Sequence, residues 1–270
     1  MRSEKIVQIT DAVTSTNVRV QPADCEKHGP FEQKVTVILS RELKGGCPEC
    51  MRAAAAEREA SAQAAAAHEL RLSLTRKLGD ALIPKRFQGS NLENYVVEHG
   101  EQRHALKFCR HYVAEFDRMY ESGRCMVLIG KPGTGKTHLG AAIANELLHK
   151  TSRTAVYRTV GAVLQAIKAT FDRKSERSES DILSSLVNPD LLVLDEIGVS
   201  KEQPSDFELT TLFAIINGRY EQQRPTVVIT NLSAGQLPGA MGERCVDRLR
   251  EGGLIVVPFN WESHRGKEIF

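Results

Sequence analysis

Several things are scarce in this sequence. Nowhere in its 270 residues is there an apolar run approaching the ~18 residues that a membrane-spanning helix needs. The opening stretch MRSEKIVQITDAV has no apolar core of the kind a secretory leader carries, so a cytoplasmic location and no membrane partner are expected. Charge of one sign is missing too. Lys plus Arg number 36 against 34 Asp plus Glu, a net +2, so any hold on nucleic acid must come from local patches and not from bulk charge. Aromatics make up 6% of the chain, Trp occurs once, and no internal repeat is visible. The 41% hydrophobic and 26% charged residues exclude collagen-like, mucin-like and wholly disordered chains. Cysteine is sparse and uneven: three of the six, Cys25, Cys47 and Cys50, fall within the first 50 residues. In a reducing compartment these are expected to be thiols or metal ligands, not disulfides.

What is present divides by composition. Residues 1–50 hold the cysteine cluster and one β-like run, 35–39, before the Gly45-Gly46 turn signal, and are expected to form a small domain. Residues 51–80 are Ala-rich and charged. Over 51–78 there is no Gly or Pro, which predicts one long helix. Its apolar stripe is mostly Ala until Leu70, Leu72, Leu74 and Leu78, so it is expected to act as a connector that buries little. Residues 81–270 are expected to form one larger domain. A helix over 101–122 is predicted from Ala105, Phe108, Cys109, Tyr112, Val113, Phe116 and Met119 at three- and four-residue spacing. Beyond it, apolar runs at 126–129, 155–160, 191–194, 226–230 and 254–257 alternate with helical patterns at 139–148, 163–171 and 207–220. Such alternation predicts an α/β fold with a parallel sheet.

The most specific motif is Gly130-Lys131-Pro132-Gly133-Thr134-Gly135-Lys136-Thr137, which fits G-x-x-x-x-G-K-[ST] at every fixed position. An apolar run leads in, the helical pattern at 139–148 leads out, and His138 between them is counted with the loop among the expected nucleotide-binding residues. Glycines let backbone N–H groups wrap a phosphate at a helix N-terminus. Lys136 can then reach the β- and γ-phosphates, and Thr137 offers a hydroxyl to Mg²⁺. A partner carboxylate should end a buried strand, and Leu191-Leu192-Val193-Leu194-Asp195-Glu196 supplies it: Asp195 for the magnesium, Glu196 for the attacking water. Asn231, after Val227-Val228-Ile229-Thr230, is either a second water-positioning group or ordinary turn chemistry.

Cys25-Glu26-Lys27-His28 and Cys47-Pro48-Glu49-Cys50 form C-x2-H and C-x2-C pairs, the donor set of a closed tetrahedral Zn²⁺ site, brought together by a hairpin over 31–39 and back. A redox C-x-x-C pair and chance clustering are the alternatives; iron–sulfur fits the set less well. A 50-residue domain with few large apolar side chains needs such a staple to fold.

Residues 83–265 resemble the AAA+ ATPases of the DnaC/IstB type, through GKPGTGKTHL, LLVLDEIG, VVITN, GERCVDRLREGG and FNWESHRG. The resemblance implies a P-loop AAA+ domain that binds ATP with Mg²⁺ and hydrolyses it to ADP and phosphate. It implies loading of a replicative DnaB-type helicase onto single-stranded DNA, and self-association through the AAA+ domain. It implies that Arg248 reaches the nucleotide of a neighbouring subunit, with Arg244 second, and that Arg265 senses the nucleotide of its own subunit. Ordinary ion pairing of Arg248 with Glu243, Asp247 and Glu251 is the plainer alternative. The zinc module departs from the simplest members and looks like the part of some phage and primosomal loaders that grips the helicase. The resemblance also directs single-strand DNA to the segment KATFDRKSER, where Lys168, Arg173, Lys174 and Arg177 surround Phe171. That ring is either a stacking platform or a core residue. Rival readings are a transposase-assisting ATPase and a zinc adaptor that binds nucleotide without hydrolysing it.

Overall fold

The structure, a computed structural model, describes residues 17–38, 41–172, 174–199 and 203–264. Leu39, Arg173 and Arg265 lie outside them. The chain divides into two compact units, Met1–Leu72 and Ser73–Phe270.

In the first unit β1 (Asn17–Cys25), β2 (Gly29–Ile38) and β3 (Arg41–Lys44) form an antiparallel meander in that order. The expected hairpin corresponds to β2–β3, in register from Val35↔Lys44 to Ile38↔Arg41. Strand β1 carried no clear signal because its apolar residues Val18 and Val20 are exposed and Pro22 interrupts it, which an edge strand tolerates. Helix α1 (Pro48–Asp80) runs for 33 residues with none buried, as its thin stripe predicted. It starts before Met51, since Pro48 suits a first helical position and Glu49 a first turn. Cys50 therefore stands on the helix.

The second unit is built on a parallel sheet. Its strands are β4 (Met126–Gly130), β5 (Ala155–Thr159), β6 (Leu191–Ile197), β7 (Thr226–Thr230) and β8 (Ile255–Phe259), in the order β5-β6-β7-β4-β8. Strands β4, β6 and β7 are apolar because both faces are covered. Met126 and Leu128 enter one core cluster while Val127 and Ile129 enter the other, as the strand period of two requires. The first cluster is closed by α2 (Gly100–Ala114), α3 (Phe116–Glu121) and α4 (Lys136–Lys150). The second is closed by α5 (Val160–Ala169), α6 (Glu179–Val187), α7 (Asp206–Glu221), α8 (Leu237–Met241) and α9 (Glu243–Glu251).

Three differences from the sequence reading matter. The predicted 101–122 helix is two helices, broken at Glu115 (φ −104°, ψ 25°) without Gly or Pro, and the break keeps Tyr112, Phe116 and Met119 all buried. The pattern at 163–171 is helical only to Ala169, so Phe171 stands beyond the helix and 63% exposed. Helix α6, unanticipated, is opened by a capping box in which Ser178 and Asp181 bond reciprocally.

Buried Arg219 ties these elements together. It donates to carbonyl oxygens of Leu186, Val187, Pro189, Asp190 and Pro225 and to the Thr226 hydroxyl, so its guanidinium is satisfied mainly by backbone. Burial brings its pKa down to about 9. Cys109, Cys125 and Cys245 are also buried, and loss of solvation pushes their thiols up, to about 12 for Cys109 and about 11 for Cys245.

Candidate nucleotide and metal sites

The residues from Gly130 to Thr137 join β4 to α4, a strand–loop–helix passage at the C-terminal end of the sheet, where ligands of open α/β folds bind. Lys136 is buried and donates to the Gly130 and Lys131 carbonyls at 2.6 Å each. Thr134 is fixed by its hydroxyl bond to Lys131 O at 2.8 Å. Lys131 itself is exposed and pairs with Glu262 at 3.3 Å. The His138 ring turns to the preceding segment: Nε2 is 3.2 Å from Asn91 O, the Tyr95 ring is 5.6 Å away, and burial lowers its pKa.

Strand β6 sits two strands from β4 and delivers its acids to the same edge. Thr137 Oγ1 donates to Asp195 Oδ2 at 3.1 Å, joining loop and strand across 58 residues. The same Oδ2 accepts from the Tyr157 hydroxyl, and Oδ1 accepts from Glu196 N at 2.7 Å. Tyr157 was not anticipated. Its phenol is buried beside the Asp195 charge, both of which raise its pKa, and only the pairing of β5 with β6 brings it there. Between Leu194 and Ile197 the register against β7 slips by one residue. The bulge puts Glu196 in the left-handed region, φ +64°, with its side chain exposed while Asp195 is buried. A non-glycine residue held there costs about 1–3 kcal/mol, and such outliers concentrate at functional sites. Asn231 is exposed directly after β7, and Thr230 beside it donates to Ile197 O at 2.8 Å, so the tips of β6 and β7 are tied.

Arg248, on α9, lies half-buried against α7. Its guanidinium is 4.8 Å from the Phe213 ring centre and 5.5 Å from that of Tyr220, and it donates to Asn217 Oδ1 and, at 3.3 Å, to Arg244 O. Arg244 is exposed. At the start of the basic segment 168–177 Phe171 meets Phe207 at 6.1 Å, and Lys168 Nζ lies 5.6 Å from the Phe207 ring; Lys168, Lys174 and Arg177 are exposed.

In the first unit Cys25 and His28 flank the β1–β2 turn, while Cys47 and Cys50 stand at the start of α1. Their donor atoms all lie within 4.8 Å of one another. Cys25 Sγ is 3.6 Å from Cys50 Sγ, and His28 Nδ1 is 3.7, 3.6 and 3.2 Å from the sulfurs of Cys25, Cys47 and Cys50. A tetrahedron with Zn–S of about 2.3 Å and Zn–N of about 2.0–2.1 Å has edges near these lengths, so the cluster could hold zinc. The Lys27 and His28 amides and the His28 ring lower the Cys25 thiol to about 6. Glu49 Oε2 lies 3.7 Å from Nε2, the outer nitrogen of His28.

The sequence profile of the IstB-like ATP binding proteins matches residues 112–268. The replicative helicase loader DnaC of Escherichia coli (strain K12) is 40% identical over 217 residues, covering 80% of this chain and 82% of that protein. The crystal structure of the DnaC helicase loader superposes with a TM-score of 0.57 at 27% identity, covering 64% of this chain and 99% of that one. That of DnaI shares the fold, with a TM-score of 0.55 at 22% identity over 66% of this chain and 94% of its own. On the profile match over more than half of its length and the 40% identity to a relative it covers by 82%, this chain belongs to the IstB/DnaC family of AAA+ ATP-binding proteins.

Proposed function

We propose that this chain loads a replicative DnaB-type helicase onto single-stranded DNA and hydrolyses ATP, with Mg²⁺, to ADP and phosphate in doing so. The observation that carries the reading is the Thr137–Asp195 contact with Glu196 exposed beside it, in a chain 40% identical to a named helicase loader. Lys136 and the amides of Gly133, Thr134 and Gly135 would hold the phosphates, Thr137 and Asp195 the magnesium, and Glu196 would accept a proton from the attacking water. Asn231, tied to β6 through Thr230, would help orient that water. Two aromatic faces back Arg248 at the surface of α9, an arrangement that suits a cation offered to a neighbouring subunit, and Arg244 is the next choice. Arg265, assigned to sensing in cis, directly follows His264, whose N–H bonds Gly133 O at 2.9 Å. The exposed Phe171 with Lys168 and Lys174 supports single-strand binding, to which Arg173 is also assigned.

In the same reading residues 1–50, closed by Zn²⁺ on Cys25, His28, Cys47 and Cys50, grip the helicase; 51–80 connect; and 81–270 are the AAA+ domain that associates with its copies. The test is direct. Glu196→Gln should keep nucleotide affinity and lose turnover at least a hundredfold, while Lys136→Ala loses binding. A replicative helicase should co-purify with the full chain and not with Cys47→Ser. Full ATPase activity in Glu196→Gln, or no helicase captured by the parent, refutes the corresponding half.

A further inference from the structure

The phosphate loop is gripped from outside by two segments far apart in sequence. Trp261, the chain's one tryptophan, is 6% exposed and donates its indole Nε1–H to Thr134 O at 3.0 Å. Three residues on, the backbone N–H of His264 donates to Gly133 O at 2.9 Å. From a segment that precedes α2 the Tyr95 hydroxyl donates to the same Thr134 oxygen at 3.4 Å. The two segments also meet each other: the His99 ring stands edge-on to Trp261 at 5.4 Å, and Glu98 Oε1 lies 3.4 Å from His264 Nδ1. Together they form a collar around the outer rim of the loop.

A planar trans peptide points its C=O and its N–H in opposite directions. The Gly133 carbonyl shares a peptide with the Thr134 N–H, and the Thr134 carbonyl shares one with the Gly135 N–H. Donors that draw both carbonyls toward the collar therefore aim both amides away from it, to the side where the loop wraps its ligand. A glycine-rich loop left to itself has no such preference, because its peptides turn over easily. We infer that Trp261 is a positioning residue for the nucleotide phosphates: its indole N–H, with the His264 amide beside it, presets the Thr134 and Gly135 amides of the phosphate loop. This rests on the reading of the loop as an ATP site and adds a residue 127 positions away that prepares it.

The test uses the full zinc-loaded chain and ADP with Mg²⁺. In the parent, Trp261 is the sole indole emitter, so its fluorescence should change on ADP addition and saturate with the Kd found by calorimetry. Trp261→Phe keeps a ring against His99 and Phe259 but has no N–H. It should weaken ADP about tenfold, one hydrogen bond's worth, and leave adenosine, which has no phosphate, bound as before. Equal ADP affinity in Trp261→Phe and parent, or an equal loss for adenosine, overturns the inference while leaving the ATP site standing. Should Trp261→Phe not fold, the parent decides: unchanged emission at calorimetric saturation overturns it too. A parent that binds no nucleotide overturns this inference and the ATP site together.

Discussion

Gly135 offers the sharpest quantitative test of how the phosphate loop is built. Its φ is +94°, and a Cβ there would lie 2.8 Å from Cε2 of Tyr95. Gly135→Ala therefore meets two separate penalties. Holding an L-residue in the left-handed region costs about 1–2 kcal/mol. Displacing the Tyr95 ring, packed beside the loop, adds about 1–2 kcal/mol, at the lower end of what overpacking costs. The total of about 2–4 kcal/mol must appear somewhere. A loop that keeps its shape shows it as lost stability. A loop that relaxes shows it as lost ADP affinity, since binding must restore the shape, and the two losses should sum to the same figure. Urea unfolding of the free chain and calorimetry with ADP measure both. Adding Tyr95→Ala should recover the steric part and leave about 1–2 kcal/mol of backbone strain. Neighbouring glycines calibrate the argument. A Cβ at Gly130 would come 2.2 Å from the Phe259 carbonyl oxygen, which cannot yield without breaking the β4–β8 pairing, so Gly130→Ala should be the worst. At helical Gly140 the obstacle is Ile229 Cδ1 at 2.4 Å, the far end of a side chain that can rotate, so Gly140→Ala should keep nucleotide affinity. Stability and ADP affinity both unchanged within about 0.5 kcal/mol in Gly135→Ala would refute the reasoning.

Freshly purified protein should carry about one zinc per chain, and Cys47→Ser should lower zinc content while sparing ADP affinity, because the metal cluster and the loop belong to different units; metal analysis and calorimetry check this. Phe171→Ala should weaken single-stranded DNA binding by about 1–3 kcal/mol in fluorescence anisotropy with no fall in Tm, since an exposed ring adds little to the core. A large loss of stability instead would return Phe171 to a packing role. Arg248→Ala should keep the ADP affinity of the isolated chain and lower turnover by about 10³, and mixing it with Lys136→Ala should recover activity that neither shows alone. Recovery failing across mixing ratios, with co-assembly verified, would move the role to Arg244.

Local signals were legible where one short segment carries the whole chemistry. The loop from Gly130 to Thr137, the apolar strand ahead of Asp195 and the two cysteine-bearing pairs each show their pattern within ten residues, and the structure gathers each as expected. What stayed hidden depends on distant partners. Tyr157 reads as an ordinary strand residue until β5 lies beside β6 and its hydroxyl finds Asp195, 38 positions on. Trp261 was part of a recognised segment, yet its bond to Thr134 spans 127 residues. The break at Glu115 has no helix-breaking residue, because packing of Phe116 and not propensity places it. Strand β1 and helix α6 went unread for a related reason: one hides few of its apolar side chains, and the other has only Ile182 and Leu186 buried, too little periodicity to register.

The split of the six cysteines has a practical corollary. Cys25, Cys47 and Cys50 meet at one cluster of the first unit, whereas Cys109, Cys125 and Cys245 are packed into the hydrophobic core clusters of the second. A disulfide reagent must reach a sulfur to react with it, and a small domain opens when it loses a metal staple. If the cluster holds zinc as proposed, the native chain should expose three titratable sulfurs when a chelator strips the metal, and the remaining three only when the sheet itself comes apart. A single colorimetric count thus becomes a two-stage gauge, reporting metal occupancy of one unit and integrity of the other in the same cuvette, with no label added to the protein.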